Sequence, residues 1–336
     1  MGEKQVAVQN EYEIDLKELI LLFWKKKFFI AGLALAGAVI AAIISLFILK
    51  PVFHTELMID VNVPATYMTK YGDYTLPNST NSQYLKLITS NDVIANTIKD
   101  MGYDEKLNTV ENVKKRINIG NVDSKSTIEN VFNVKVAADN AQESLKFAKA
   151  LYNNYIDYID VITKERAVDY FYNNFNAKLK SNELMLESTK AILEKNEKLL
   201  AETPETIDQA RLANVGNGTV IENIINPAYT QLQESIMTNK QSIIQIEEDM
   251  KRLNNNLQEL DAEKKTIDQY YETGKVDDSK SSFIDIAKNS IYLLSEPVEP
   301  LHKTSPSNFK NTLIGLILGG LLGVGAVFIR KYWQEA

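Results

Sequence analysis

The chain has 336 residues, no cysteine and two histidines, with 37 Lys and Arg against 44 Asp and Glu, for a formal net charge of −7. The missing cysteines exclude a disulfide framework and a zinc–thiolate site. Residues 1–50 hold six basic and five acidic side chains and residues 312–336 hold two and one, leaving 29 basic and 38 acidic between them; that net of −9 argues against nucleic acid and against flat docking on anionic lipid.

The first predicted element is a membrane span at residues 28–49, 22 residues interrupted only by Ser45. At 1.5 Å per residue it reaches about 33 Å, enough to cross a hydrocarbon core of roughly 30 Å. A cleaved signal peptide is the alternative. The run is too long for a signal core, the segment before it is long, and Phe47-Ile48-Leu49-Lys50-Pro51 offers no small-residue cleavage site.

Residues 52–63 alternate and stop at Pro64, as a strand leaving the membrane would. Residues 80–101 read as one or two amphipathic helices, with a cap at Ser90-Asn91-Asp92 and a stop at Gly102. Short strands are predicted at Arg116-Ile117-Asn118-Ile119 within residues 113–122, at Val131 to Ala138, and at Ile291-Tyr292-Leu293-Leu294. The first and last parts of this region, residues 51–138 and 275–311, are expected to pair into one membrane-proximal α/β base.

Between them, residues 139–274 predict a long antiparallel helical hairpin. Asp139-Asn140 caps a helix without Pro or Gly until Pro204, with an early stripe of Leu145, Ala148, Tyr152, Tyr155, Ile159 and Ile162. Its later seam, Leu179, Leu186, Leu193 and Leu200, is thin because Asn182, Thr189 and Asn196 lie between the leucines. A break follows over residues 204–227, around Gly216-Asn217-Gly218 and Asn226-Pro227. The second helix carries 4-3 spacing at Leu232, Ile236, Asn239, Ile243, Ile246, Met250, Leu253, Leu257, Leu260, Lys264, Ile267 and Tyr271, the pattern of a coiled-coil seam. A compact bundle would need further helices that the sequence does not offer.

Pro297, Pro300 and Pro306 form a stiff connector into a second span at residues 312–329, whose apolar run of 17 residues from Leu313 is short and needs Thr312 and Tyr332 or Trp333 to extend it. Gly315, Gly319 and Gly323 stack at four-residue spacing, a face that lets helices approach closely in lipid. The first span offers Ala34, Ala38 and Ala42 on one face and Gly37, Ala41 and Ser45 on another. Lys25, Lys26 and Lys27 precede the first span and Arg330 and Lys331 follow the second, so the cytoplasmic parts are expected to be residues 1–27 and 330–336. Those short segments leave no room for a signalling domain.

Chemistry is missing. There is no phosphate loop or dinucleotide turn, and His54 and His302 stand far apart in sequence. No Ser-His-Asp arrangement can be argued, so the chain is read as a non-enzyme without cofactor or metal.

The opening Glu13-Ile14-Asp15-Leu16-Lys17-Glu18-Leu19 before Trp24-Lys25-Lys26-Lys27, and the closing Pro297…Pro300…Ser305-Pro306 before a glycine-rich span, resemble the chain-length determinant family, the polysaccharide co-polymerases of bacterial inner membranes. The gap between Pro300 and Pro306 is wider than in that family's motif. The resemblance implies an α+β membrane protein with two transmembrane helices, a base and an extended hairpin, assembled as a homo-oligomer. It further implies control of the length of a surface glycan, such as lipopolysaccharide O-antigen, with an integral-membrane polymerase and the growing polysaccharide as partners. The alternative is an adaptor for capsule or exopolysaccharide export beside a separate tyrosine kinase or transporter.

Overall fold

The computed structural model describes residues 16–77, 80–120, 130–207, 224–275 and 281–335. Glu13, Ile14 and Asp15 of the opening motif and Gly216-Asn217-Gly218 of the hairpin break lie outside the described residues.

The fold is α+β with two helices long and apolar enough to cross a membrane. Helix α1 (Leu16–Lys25) and helix α2 (Lys27–Ile43) are separated at Lys26, where φ is −103° and ψ is 15°. The first apolar run is therefore not one regular helix to Leu49. It passes from α2 into a π turn at Ile44–Ile48 and is extended at Leu49. The second span is longer than its apolar run. Helix α9 (Asn308–Glu335) starts early because the Ser307 hydroxyl accepts the Lys310 N–H at 3.4 Å and the Ser307 carbonyl accepts the Asn311 N–H at 3.0 Å.

Beyond α2 the chain rises as strand β1 (Phe53–Val61) and enters a four-stranded antiparallel sheet of order β4-β5-β1-β8. Strand β5 (Val131–Ala138) pairs with β1 from Phe53↔Ala138 to Asp60↔Val131. The edges are β4 (Ile117–Ile119) and β8 (Ile291–Leu293), the latter pairing Val61↔Ile291. Thr55, Leu57, Ile59 and Val61 alternate inward with Phe132, Val134, Val136 and Ala138, the pattern of a sheet with one covered face.

That face is covered by helix α3 (Asn81–Lys86), helix α4 (Asn91–Met101) and the start of helix α6 (Ala141–Glu202), with Ile94, Ile98, Phe147, Leu151, Tyr155 and Ile159 in the core. Ser90 caps α4 by accepting the Val93 N–H, and Gly102 ends it at φ +67°, where other residues are strained. Asn140 caps α6 through the Glu143 N–H. The expected early stripe of α6 is correct at Ala148, Tyr155, Ile159 and Ile162. It is incomplete: Leu145 and Tyr152 are half-buried, while Phe147 and Leu151 are fully buried.

Two elements escape the sequence patterns. Helix α5 (Val110–Lys114), capped by Thr109, is too short to show a period. A small hairpin of β2 (Thr66–Thr69) and β3 (Gly72–Thr75) turns at Gly72, φ +123°, and packs Tyr67 onto the long helices.

Helix α6 runs unbroken for 62 residues, about 93 Å, and helix α7 (Pro227–Thr273) returns for 47, about 70 Å. They are antiparallel, joined at the far end by β6 (Thr206–Ile207) and β7 (Ile224–Ile225). Ion pairs Lys264–Asp169 at 3.0 Å, Lys190–Glu247 at 2.9 Å and Lys240–Glu197 at 2.9 Å mark the register along the hairpin. A short helix α8 (Ala287–Ser290) then leads into β8 and the connector.

Candidate functional site

Most of the side chains singled out in the sequence fall on two contact surfaces, the hairpin seam and the paired spans, and the prolines lie in the connector between sheet and second span.

In the seam, Ile236, Ile246, Leu253, Leu257 and Leu260 are buried, and Leu232, Ile243 and Met250 are half-buried. The register slips after Leu260. Tyr271 is not in the seam: it is 44% exposed and its hydroxyl donates to Glu165 at 2.7 Å. The inward positions become Glu263, Ile267 and Tyr270. Two consecutive three-residue steps, from Leu257 to Leu260 to Glu263, shorten the repeat locally as a stammer does and set the contact line one residue back. Glu263 is tolerated there because its carboxylate accepts bonds from the Ser282 N–H at 2.6 Å, the Ser282 hydroxyl at 2.9 Å and the Ser281 hydroxyl at 3.0 Å.

The far half of the hairpin is thin. Leu179, Leu186, Leu193 and Leu200 are half-buried, as are Asn182, Thr189 and Asn196, and beyond Phe175 no residue of α6 is buried. Each helix also carries an outward apolar row at seven-residue spacing, Met185, Ile192 and Leu199 on α6 and Met237 and Ile244 on α7, all between 48% and 62% exposed.

In the spans, Gly315, Gly319, Gly323 and Val327 form the buried line of α9. It meets α2 along Ile30, Ala34, Gly37 and Ala41, merging the two small-residue faces noted in the first span. A Cβ built on Gly319 would stand 2.5 Å from the Leu33 carbonyl oxygen and 3.1 Å from the Ala34 Cα. One on Gly37 would stand 2.5 Å from the Gly315 carbonyl oxygen, and one on Gly315 would collide with the Ala41 Cβ. At these three positions the obstacle includes backbone, so the approach requires glycine.

At the sheet end of the spans the buried Ser45 hydroxyl donates to Asn308 Oδ1 at 3.0 Å and accepts from Asn311 Nδ2 at 3.0 Å, while Lys303 Nζ donates to the same Asn308 oxygen at 3.2 Å. Just beyond, the Val52 N–H donates to the Ser305 carbonyl at 2.8 Å and the Thr304 N–H to Val52 at 2.8 Å. Pro297 and Pro306 are buried, Pro300 is half-buried, and the Ser305–Pro306 bond is cis. The connector is thus tied back to the start of β1. Ser45 was read only as one small residue on a face; the polar partners became visible once the two spans were placed side by side.

A further buried cluster ties the return segment to α6. Asp160, 1% exposed, accepts the Ala287 N–H at 2.5 Å, and its other oxygen has no hydrogen-bond partner. Lys164 Nζ lies 2.6 Å from Asp285, which also pairs with Lys288 at 2.9 Å. Burial pushes the Asp160 carboxyl up to about 7; Asp285 adds to the rise, while the Ala287 N–H and the two lysines oppose it. Charged residues four apart inside Tyr158-Ile159-Asp160-Val161-Ile162-Thr163-Lys164 were the available signal. At the base, Arg116 Nη2 pairs with Glu143 at 3.0 Å and Tyr103 donates to the same carboxylate. Burial opposes ionisation of Glu143, but these bonds outweigh it and hold the carboxyl below its usual range. His54 lies on β1 and His302 in the connector, and no group of three or more metal-ligating side chains forms among the described residues.

Residues 12–101 match the family model described as chain length determinant protein. No curated protein sequence matches the chain. Similar solved structures include a full-length bacterial polysaccharide co-polymerase, 16% identical with a TM-score of 0.43, covering 96% of this chain and 99% of that one. A fragment of WzzB, polysaccharide co-polymerase from Salmonella Typhimurium, is 12% identical with a TM-score of 0.29, covering 76% and 100%. The wild-type Shigella flexneri lipopolysaccharide O-antigen chain-length regulator WzzBSF is 11% identical with a TM-score of 0.32, covering 74% and 99%.

Proposed function

We propose that this chain is a non-enzymatic regulator of surface polysaccharide chain length, working as an oligomer in a bacterial inner membrane beside an integral-membrane glycan polymerase. Residues 51–311 stand on the periplasmic side and both termini are cytoplasmic. The observation that carries the reading is the match of residues 12–101, the first span and the first part of the base, to the chain length determinant family model.

Two features of the molecule support it. The outward heptad rows of Met185, Ile192 and Leu199 and of Met237 and Ile244 leave apolar surface that a second copy would cover. The glycine line packs the two spans closely against each other, so that the two ends of the base share one membrane anchor. The glycan is proposed to be lipopolysaccharide O-antigen, as the resemblance of the opening and closing motifs implies.

Removing the gene and resolving the surface glycan on a gel tests the reading. Loss of a modal cluster of bands, with polymer still made, is the expected result. An unchanged banding pattern would refute it.

A further inference from the structure

The segment between β8 and α9, residues 294–307, descends from the sheet to the second span. Pairing stops where the Leu294 N–H donates to the Met58 carbonyl at 2.9 Å, and resumes where Ser305 meets Val52. Buried Pro297 and Pro306 pin the segment near its two ends. Between them Val298 is 75% exposed and Leu301 is 90% exposed. Leu301 follows Pro300, whose ring restricts the backbone, so it stands out on a stiff path.

Its place along the chain says what lies beneath it. Ser305 is bridged to Val52, four residues past the first apolar span, and α9 begins three residues after Ser305. Four residues of extended chain cover at most about 14 Å. Leu301 is therefore held within about 14 Å of Ser305, which itself stands three residues from α9, and the headgroup layer beside the span ends is some 5–7 Å thick. Phe47 and Phe309, 81% and 78% exposed, sit at the same ends of the two spans, where aromatic rings occupy the interface. Charge is graded to match. Glu296 and Glu299 come first, away from the span, while Lys303, with exposed Lys50 and Lys310, lies closer in sequence to the span ends. The region as a whole is acidic, so the contact suits a zwitterionic surface through its apolar tip.

We propose that residues 295–303 form a strap that lays Val298 and Leu301 into the headgroup boundary of the leaflet on the sheet's side, anchoring the β1–β8 edge to lipid. The inference rests on reading α2 and α9 as membrane spans, and it is independent of what the protein regulates.

The chain has no cysteine, so single-cysteine probes can be placed in the full-length protein. Leu301→Cys, carrying an environment-sensitive fluorophore, is reconstituted in phosphatidylcholine vesicles with or without lipids that carry nitroxides both near the headgroup and at mid-chain. Met68→Cys, on a site 72% exposed in the β2–β3 hairpin, reports water, and Leu321→Cys, 62% exposed within α9, reports bilayer. All three sites are open enough to accept the label without disturbing the core. The expected result is quenching at position 301 several-fold above that at position 68 and close to that at position 321. Quenching at 301 no greater than at 68 overturns the strap. A blue-shifted but unquenched label at 301 means that protein, a neighbouring copy or a partner, covers it, and also overturns the proposal. An unquenched label at 321 brings down the reading of the spans, and the strap with it.

Discussion

Asp160 is a carboxyl that burial holds partly protonated near neutral pH. Its folded value of about 7 lies above the ordinary 3.8, so the folded chain binds this proton more tightly than the unfolded chain does. Stability from this group is thus fully present below the unfolded value and is lost as pH rises toward 7. The step corresponds to at most about 4 kcal/mol at roughly 1.4 kcal/mol per pH unit. The Asp160→Asn variant keeps an oxygen for the Ala287 N–H and removes the charge. Its thermal midpoint in detergent is expected to vary less than that of the parent between about pH 5 and pH 8, and to lie higher at the alkaline end. Equal slopes for the two proteins would show that Asp160 is not the titrating group. Gly319 makes the second prediction at this scale. Gly319→Leu meets the Leu33 carbonyl and the Ala34 Cα, so the spans must separate, while the base and hairpin keep their own cores. Normal expression with an unregulated glycan ladder is expected; a retained modal band would mean that the tight approach serves no regulatory purpose. The stacking of Gly315, Gly319 and Gly323 was legible in the sequence because four-residue spacing is a property of the helix itself. The Ser45–Asn308–Asn311 knot was not, since its members stand 263 and 266 residues apart.

Among the elements, those with a local signal were readable. The alternation of β1 and β5, the Ser90 and Asn140 caps and the Gly102 stop all depend on neighbours in sequence. The β2–β3 hairpin was invisible because Met68 is exposed and Tyr67 is held by tertiary contact, its hydroxyl donating to the Ile284 carbonyl at 2.6 Å. Tyr271 is misplaced for a different reason: a heptad extrapolated past Leu260 misses the extra three-residue step that brings Glu263 and Tyr270 inward. The outer half of the hairpin yields the prediction for this scale. Ion pairs such as Lys190–Glu247 are exposed and contribute no more than about 1 kcal/mol each, so the outward stripe has more to gain from a partner. Ile192→Glu combined with Leu199→Glu removes apolar surface without touching a buried position. The parent is expected to be oligomeric by mass measurement in detergent and the double variant to be smaller. A monomeric parent, or an unaltered mass in the variant, would remove the stripe from the account.

Across the whole molecule, the two spans pack side by side, and β1, leaving the first span, pairs with β8, heading for the second. The basic flanks at residues 25–27 and 330–331 support the proposed orientation, with residues 51–311 outside the cytoplasm. A periplasm-active phosphatase fused after Asn217 is expected to be active, and the same enzyme fused after Ala336 to be silent; the reverse would invert the topology. In the proposed function, an assembly built on the hairpin and anchored by the spans sets glycan length. The most direct measurement is the surface-glycan ladder of a deletion strain complemented either with the parent chain or with the Ile192→Glu, Leu199→Glu variant at equal membrane abundance. The account predicts that the parent restores a modal cluster and the variant leaves a ladder without one. A modal cluster restored equally by both would contradict it.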